Sequence, residues 1–518
     1  MENQQQYQKN EQEENKEQTP KNQSDTQQIQ QNQQSQQKQQ IQQQKQSEEG
    51  TFLNWKKYLF DENLLTEVLK FEEWDRKDLN FPEANTLKKD LNRTRNEDPF
   101  FKKEKTQKKL QLIATFYCKQ NYVNYQQGML ELVIPFLLLE RKDFKLSKCY
   151  AYFSSFMNNF YPKFLIQKPL TLTVELPFLT LAIQFCEILL NYHCPRIYTI
   201  LQECDINLSL AVTSWIVTLF AKDTKIQLVY EIFDQFIKKK QPNFVFYLII
   251  GLIYQNQQKI YDTVEEDEDL LLQLFNKGLK NLQNKQQISE WFQLAEQIQQ
   301  NTPQSFEHLL NICDFNKKSV MSQNEIQFIL NFQVYNRFLP LYPQEIYIND
   351  YIQKEKKSPK KEQKKDEKSS PQKPQIKPKY DKNFSLTVID LSKKQPKFPL
   401  KNEKISQPFN KKSNEIIIKQ ILENIDKQTH ICLLVQNFQN QNDPDIQEAF
   451  EILKLLQNEY GRQYVSILLG GFNQYENFAQ KINKDQNKYL QNLFYDTNNP
   501  LNNHDLILEQ KSQINIFS

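Results

Sequence analysis

The chain has 518 residues, enough for two or three domains, and a formal net charge of +3, so no strong field directs it to nucleic acid. Only 7 glycines are present and no glycine-rich phosphate-binding motif occurs, so we do not expect the chain to hold a nucleotide itself. The 4 histidines and 7 cysteines lack ligand spacing, which argues against a metal site and favours reduced, buried thiols. No apolar run reaches the roughly 20 residues of a transmembrane segment, and the polar N-terminus is no signal peptide.

The first two segments differ sharply in composition. Residues 1–50 are Gln-rich and almost without large apolar side chains, so we predict a disordered tail that cannot offset its ordering entropy. Residues 51–315 show apolar residues at helical spacing, as in the recurrence of Leu110, Ile113, Ala114 and Tyr117. This periodicity predicts an all-α domain.

A connecting region follows the helical domain. Residues 316–352 are predicted to be a connector with an extended docking segment near its end. Residues 353–381 form a Lys/Pro/Ser-rich run, predicted to be a flexible linker. Its basic charge suits acidic lipid heads or an acidic partner, although a solvated spacer is the simpler interpretation.

The pattern changes again over residues 382–485, which are followed by a C-terminal tail over residues 486–518. Short apolar runs predict strands at Leu386–Asp390, Ile431–Val435 and Tyr464–Leu469. Helical patterns lie between them, and this alternation predicts a small α/β domain with a parallel sheet.

Two short motifs within the helical domain carry the strongest functional signal. Residues 87–94 read LKKDLNRT, and residues 125–129 read YQQGM. The Gly-Met dipeptide is the specific part, because the chain has only 7 Gly and 4 Met. Without a wider pattern, Arg93 would be a solvated surface arginine and Gln127 a polar residue beside a turn glycine.

These motifs resemble I-x-x-D-x-x-R-T and Y-x-Q-G-M, the signatures of the TBC domain of Rab GTPase-activating proteins. The resemblance implies that Arg93 is an arginine finger and Gln127 a glutamine finger. The implied supporting residues are Asp90, Thr94, Tyr125 and Gly128. In this mechanism the arginine neutralises charge on the phosphate and the glutamine positions the attacking water, while Mg²⁺ and GTP belong to the partner. No cofactor of the chain's own is therefore expected.

Downstream segments extend the likeness. Similarity to three further family segments, H-x-P-x-L-Y, W-x-x-x-x-F and Leu-Trp-Asp, is found at residues 192–198, 215–220 and 232–234. One departure is that the family's entry motif G-I-P-x-x-x-R-x-x-x-W is not recognisable between Thr51 and Trp74.

The C-terminal α/β domain resembles the rhodanese fold. Rhodanese chemistry needs a thiolate in the loop after the central strand, but residues 436–443 contain no cysteine and Cys432 lies within the strand itself. We therefore predict a rhodanese-like domain without sulfurtransferase activity, used as a binding surface.

Two functions remain open. The finger pair predicts an activator of a Rab-type small GTPase. The order TBC then rhodanese resembles TBC–rhodanese adaptors, which implies a cytoplasmic protein, peripheral at the trans-Golgi network and endosomal vesicles. Its implied partners are golgin-type tethers and an actin-regulating endosomal complex. On that alternative the protein tethers endosome-derived vesicles and catalysis is incidental.

Overall fold

A computed structural model describes most of the helical region and the core of the α/β region. The described residues are 55, 57–59, 63–139, 144–161, 176–275, 282–313, 338–343, 345–346, 385–391, 418–436, 444–468 and 471–484. The predicted Gln-rich tail (1–50), the Lys-rich linker (353–381) and the C-terminal tail (486–518) lie outside them, so those three predictions stay predictions.

The described residues between 64 and 313 are mainly helical, as the periodicity predicts. Its helices are α1 Leu64–Glu73, α2 Ala84–Leu91, α3 Glu104–Asn121, α4 Leu130–Leu137, α5 Leu146–Asn159, α6 Pro177–His193, α7 Pro195–Glu203, α8 Ser209–Thr218, α9 Ile226–Lys239, α10 Phe244–Gln255, α11 Gln257–Glu266, α12 Glu268–Gln273, α13 Lys285–Asn301 and α14 Gln304–Cys313. The apolar stripe of α3 is buried, including all four residues that carried the prediction. Helices α4 and α10 are buried around their whole circumference because their sequences are apolar on every face.

A four-stranded parallel sheet follows. Its strands are β1 Leu339–Leu341, β2 Leu386–Asp390, β3 His430–Leu434 and β4 Val465–Leu468, in the spatial order β1-β4-β3-β2. The three predicted strands are thus confirmed within one residue at each end, and so is the parallel arrangement. The helices of this part include α15 Pro444–Lys454, which continues as one π-helical turn over Leu455–Glu459, and α16 Gly471–Lys484.

The edge strand β1 was not predicted. It lies in the segment that the sequence analysis assigned to a connector, and it pairs with β4. Three residues are too few for a periodicity to show, and Pro340 sits among them, which sequence rules place at a sheet edge. The sheet therefore takes one strand from the chain before the linker and three from the chain after it.

The sheet is buried on both faces, and alternate residues of each strand enter different cores. Cys432 and Leu434 of β3 join the large core that also fills the helical domain. Ile431 and Leu433 of the same strand join a smaller core formed with α15. A near-continuous apolar strand is the sequence expected for such a doubly covered parallel sheet.

Polar contacts also join the sheet to the helices. The Tyr192 hydroxyl of α6 hydrogen-bonds Nδ1 of His430, and the His430 ring stacks on Tyr464 with centroids 4.8 Å apart. The backbone N–H of Tyr464 donates to the carbonyl of Tyr192 at 3.0 Å. Because these groups are buried, each bond replaces water that the interface excludes.

Candidate functional site

One buried carboxylate joins the two sequence motifs. Asp90 is the penultimate residue of α2 and is 6% exposed. Its Oδ2 accepts the hydroxyl of Tyr125 and the backbone N–H of Gly128, the latter at 2.8 Å. The segment with the predicted arginine finger and the one with the predicted glutamine finger thus share one acceptor. Hydrogen bonds to an ionised carboxylate are stronger than neutral ones, so this connection is firm.

The same residue also caps its own helix end. The carbonyl oxygen of Asp90 accepts the backbone N–H of Arg93 at 3.0 Å and that of Thr94 at 2.9 Å. The Thr94 hydroxyl donates to this oxygen at 2.8 Å, and Thr94 is buried. These bonds hold the turn that directly follows α2, so the backbone position of Arg93 is fixed.

A second anchor holds the far side of that turn. Arg95 has a φ of 52°, and its guanidinium pairs with the carboxylate of Glu131 on α4 at 2.8 Å. The guanidinium also donates to the carbonyl oxygens of Ala221 and Thr224, in the segment after α8. Both side chains of the pair are about nine-tenths buried. One arginine therefore ties the turn to two other parts of the domain.

Gly128 shapes the loop between α3 and α4. Its φ of +94° is one that residues with a Cβ rarely adopt. A Cβ there would also meet Cγ2 of Thr218 at 3.1 Å, so the loop packs closely against the end of α8. Both the backbone angle and the close contact with Thr218 require glycine, which gives a physical reason for Gly128 in the motif.

The two finger side chains are exposed. Arg93 lies in the turn after α2, and Gln127 lies in the loop before α4. The backbone N–H of Arg93 itself bonds the carbonyl oxygen of Asp90, and Gln127 directly precedes Gly128, whose N–H bonds the Asp90 carboxylate. The arrangement is thus two solvent-facing side chains on backbones that are fixed by buried contacts. Such preorganisation is what catalytic groups need, since little freedom has to be lost when a partner binds.

The electrostatics around Asp90 favour the hydrogen bonds that connect the two motifs. Burial raises the pKa of the Tyr125 hydroxyl far above its ordinary value, and the adjacent Asp90 carboxylate raises it further. Tyr125 therefore stays protonated and remains a donor to Asp90. A guanidinium keeps its charge at any physiological pH, so Arg93 presents a permanent cation.

Asp90, Thr94, Tyr125 and Gly128 are supports predicted from the motif resemblance, whereas the pair of Arg95 and Glu131 was not predicted. The available signal was weak. Arg95 is two residues beyond the predicted finger, and Glu131 is a lone acid in the apolar run of α4. A charged residue inside such a run is usually paired, but the sequence does not name the partner.

Neither a metal-binding group nor a membrane-spanning helix is found in the described part of the chain. No set of three or more His, Cys, Asp or Glu side chains within the described ranges is placed to hold a metal ion. No described helix is both long enough and apolar enough to cross a bilayer.

Comparison with known proteins relates the helical region to one family model. Residues 52–261 match the model of the Rab-GTPase-TBC domain. Similar solved structures include the Ypt/Rab-GAP domain of Gyp1p, at 13% identity over 47% of this chain and 86% of that chain, with a TM-score of 0.39. Another is the flagellar RabGAP TBC domain of Chlamydomonas, at 14% identity over 47% of this chain and 77% of that chain, with a TM-score of 0.34.

The match to this family model covers residues 52–261, which include both motifs of the candidate site.

Proposed function

We propose that this protein accelerates GTP hydrolysis by a Rab-type GTPase through Arg93 and Gln127. The GTPase holds GTP and Mg²⁺, and the chain supplies the two side chains that its partner lacks. The guanidinium of Arg93 offsets the negative charge that develops on the transferred phosphoryl group, and the carboxamide of Gln127 orients the attacking water.

The observation that carries this proposal is the shared attachment to Asp90. Two exposed side chains capable of the required chemistry stand on segments that one buried carboxylate binds together. A surface arginine without a function needs no such support. The Arg95–Glu131 pair strengthens the argument, because this buried ion pair holds the turn that carries Arg93. Arg93 is the only exposed cationic side chain of that turn.

Single-turnover hydrolysis of GTP by a panel of Rab GTPases tests the proposal. Wild-type protein should accelerate at least one member, and Arg93→Ala should lower the acceleration by roughly 10³-fold or more. Arg93→Lys should recover little, because an ammonium lacks the planar donor fork of a guanidinium. The matched control is Arg76→Ala, at an exposed arginine outside the site.

The role of Gln127 has an internal control in the adjacent Gln126. Gln127 is exposed, whereas Gln126 is half-buried and its carbonyl accepts the N–H of Met129 at 3.0 Å. Gln127→Ala should slow hydrolysis strongly and Gln126→Ala only weakly. If no Rab hydrolyses GTP faster with wild type than with Arg93→Ala, the catalytic proposal is wrong.

A second function, vesicle tethering, rests on the sheet. The Cys432 thiol lies within β3, is fully buried, and burial raises its pKa well above the ordinary value. It is therefore no nucleophile, and this supports a rhodanese-like domain kept for binding. Residues 437–443 of the expected active-site loop lie outside the described residues.

The tethering function is also supported by sequence. Stretches such as residues 79–86 and 464–472 resemble TBC domain family member 23, an adaptor of endosome-to-trans-Golgi transport that links golgins to an actin-regulating complex. The animal form of that adaptor lacks both fingers, whereas this chain has Arg93 and Gln127. We propose that this protein combines tethering at the trans-Golgi network with GTPase activation. Pull-down with golgin coiled coils tests the tethering part, and normal endosome-to-Golgi traffic after gene deletion would refute it.

A further inference from the structure

The loop that carries Gln127 begins with an exposed aromatic residue. Tyr122 ends α3 in the left-handed conformation, with φ 54° and ψ 41°, and its side chain is 88% exposed. It is the most exposed large hydrophobic residue in the part of the chain that the structure describes. Its backbone N–H still bonds the carbonyl of Cys118, as is usual at a helix C-terminus.

Tyrosine is an unfavourable choice at this position. Helices that end in the left-handed conformation usually carry glycine there, because a Cβ is strained in this region. Among the described residues, the other large hydrophobic ones at positive φ are Leu219, Phe220 and Tyr464, and all three are buried. Packing compensates their strain. None of the described residues packs over the ring of Tyr122 to compensate its strain, since the ring faces solvent.

Two neighbouring polar side chains are committed to contacts within the chain. The ammonium of Lys119 pairs with the carboxylate of Asp78. The side-chain amide of Asn121 donates to the carbonyl of Tyr117 at 3.0 Å. Gln120 and Tyr122 are exposed at this end of α3, and of the two only Tyr122 presents an apolar ring.

The position of Tyr122 relative to Gln127 indicates which molecule that is. Five residues span at most about 17 Å of extended chain, and this loop is bent. A standard protein–protein interface covers about 800 Å² on each side, roughly a disc of radius 16 Å. An interface of this size that is centred on Gln127 therefore has room for Tyr122 as well.

We propose that Tyr122 is an apolar anchor for the GTPase that binds at Arg93 and Gln127, covered by an apolar patch beside the nucleotide site of that GTPase. The inference rests on the proposed function, because it assumes the same partner. Tyrosine is over-represented among residues that dominate binding energy at interfaces, since its rigid ring buries a large area at low entropic cost. Tyr122 raises the affinity for the GTPase, whereas Arg93 raises the rate of GTP hydrolysis in the bound complex.

The decisive variant is Tyr122→Gly, because it separates binding from folding. Glycine relieves the strained backbone, so the melting temperature should be unchanged or higher than that of wild type. Single-turnover hydrolysis should be followed against protein concentration, with a Rab GTPase that wild type accelerates. We expect the half-saturating concentration to rise about tenfold and the maximal rate to change less than twofold.

Two controls complete the experiment. Tyr122→Phe keeps the ring and should stay within about twofold of wild type in half-saturating concentration. Leu65→Ala removes another exposed apolar side chain, on α1, and should have no effect. If Tyr122→Gly saturates at the wild-type concentration while Arg93→Ala abolishes acceleration, Tyr122 is no anchor and only this inference is overturned.

A binding measurement separates this inference from the catalytic proposal. Equilibrium binding of the Rab panel, loaded with a non-hydrolysable GTP analogue, needs no catalysis. Weaker binding to Tyr122→Gly than to wild type supports the anchor even where no Rab is accelerated. If every loaded GTPase binds both proteins equally, or binds neither, the anchor is refuted.

Discussion

Removal of the Tyr125 hydroxyl is the most direct test of the connection that Asp90 makes between the two motifs. Tyr125→Phe keeps the buried ring and deletes one donor to Asp90. The carboxylate then retains the Gly128 N–H and loses a buried, charge-assisted hydrogen bond. Asp90 stays folded into the site, so the perturbation is confined to the link between the turn and the loop.

The expected loss of stability follows from the nature of that bond. Hydrogen bonds to charged groups contribute about 1.5–3 kcal/mol, and this one is buried. For a domain of about 200 residues, a loss of this size lowers the melting temperature by roughly 3–12 °C. The loop that carries Gln127 should loosen as well. Small displacements of catalytic groups cost up to about 10²-fold in rate, so we expect hydrolysis by a bound GTPase to slow by about 10- to 100-fold.

Thermal unfolding and single-turnover hydrolysis should be measured together, with Tyr247→Phe as the matched control. Tyr247 is also buried, and its hydroxyl donates to Glu307 at 2.6 Å on other helices. This variant should lose comparable stability and keep the full hydrolysis rate well below its melting temperature. Equal loss of rate in both variants would refute the reasoning, because general destabilisation would then explain the effect. So would a Tyr125→Phe variant as stable and as active as wild type.

Three further predictions concern the same region. Arg95→Ala removes the guanidinium that pairs with the buried Glu131 carboxylate and should lower the free energy of unfolding by about 3–5 kcal/mol in a denaturant titration. Gly128→Ala imposes a left-handed alanine and should cost about 1–3 kcal/mol, measured in the same way. Burial raises the pKa of the Cys118 thiol to about 12, so below that pH it is protonated, and an alkylating reagent at pH 8 should modify it only after unfolding.

Controls for these predictions are available in the chain. Lys70→Ala breaks an exposed ion pair with Glu67 and should cost at most about 1 kcal/mol, so a similar value for Arg95→Ala would contradict the first prediction. Gly461 also has a positive φ, but a Cβ there would meet nothing within 4 Å. Gly461→Ala should therefore cost less than Gly128→Ala, and the reverse order would contradict the second. Modification of native Cys118 as rapid as that of the half-buried Cys204 would contradict the third.

The sequence predicted the secondary structure of this chain better than its long-range contacts. Helix α3 and strand β2 are recognisable because periodicity and apolar runs are local signals. Strand β1 is not, since three residues show no period and its partner β4 is more than a hundred residues away. Pro135 illustrates the limit of a local rule: a kink or a helix break is expected there, and α4 runs from Leu130 through Pro135 to Leu137 without a break.

In the candidate site too, the sequence points to single residues but not to the contacts between them. The resemblance of the two motifs to a family signature predicts Arg93 and Gln127, and the rarity of Gly-Met points to Gly128. The convergence of both motifs on the Asp90 side chain is a contact between residues far apart in sequence, and no pattern within either motif encodes it. The same holds for Arg95 and Glu131, which belong to no common periodicity. Such pairs become visible only when the helices are packed.

Strand β1 has a practical consequence for anyone who dissects this protein. A protease cut between residues 353 and 381 severs the chain, yet one fragment keeps β1 and the other keeps β2, β3 and β4. The ladder between β1 and β4, together with the Tyr192–His430 contact, should hold the nicked pieces as one particle on a sizing column. A recombinant C-terminal half that starts at residue 382 would instead expose the edge of β4 and be prone to self-association.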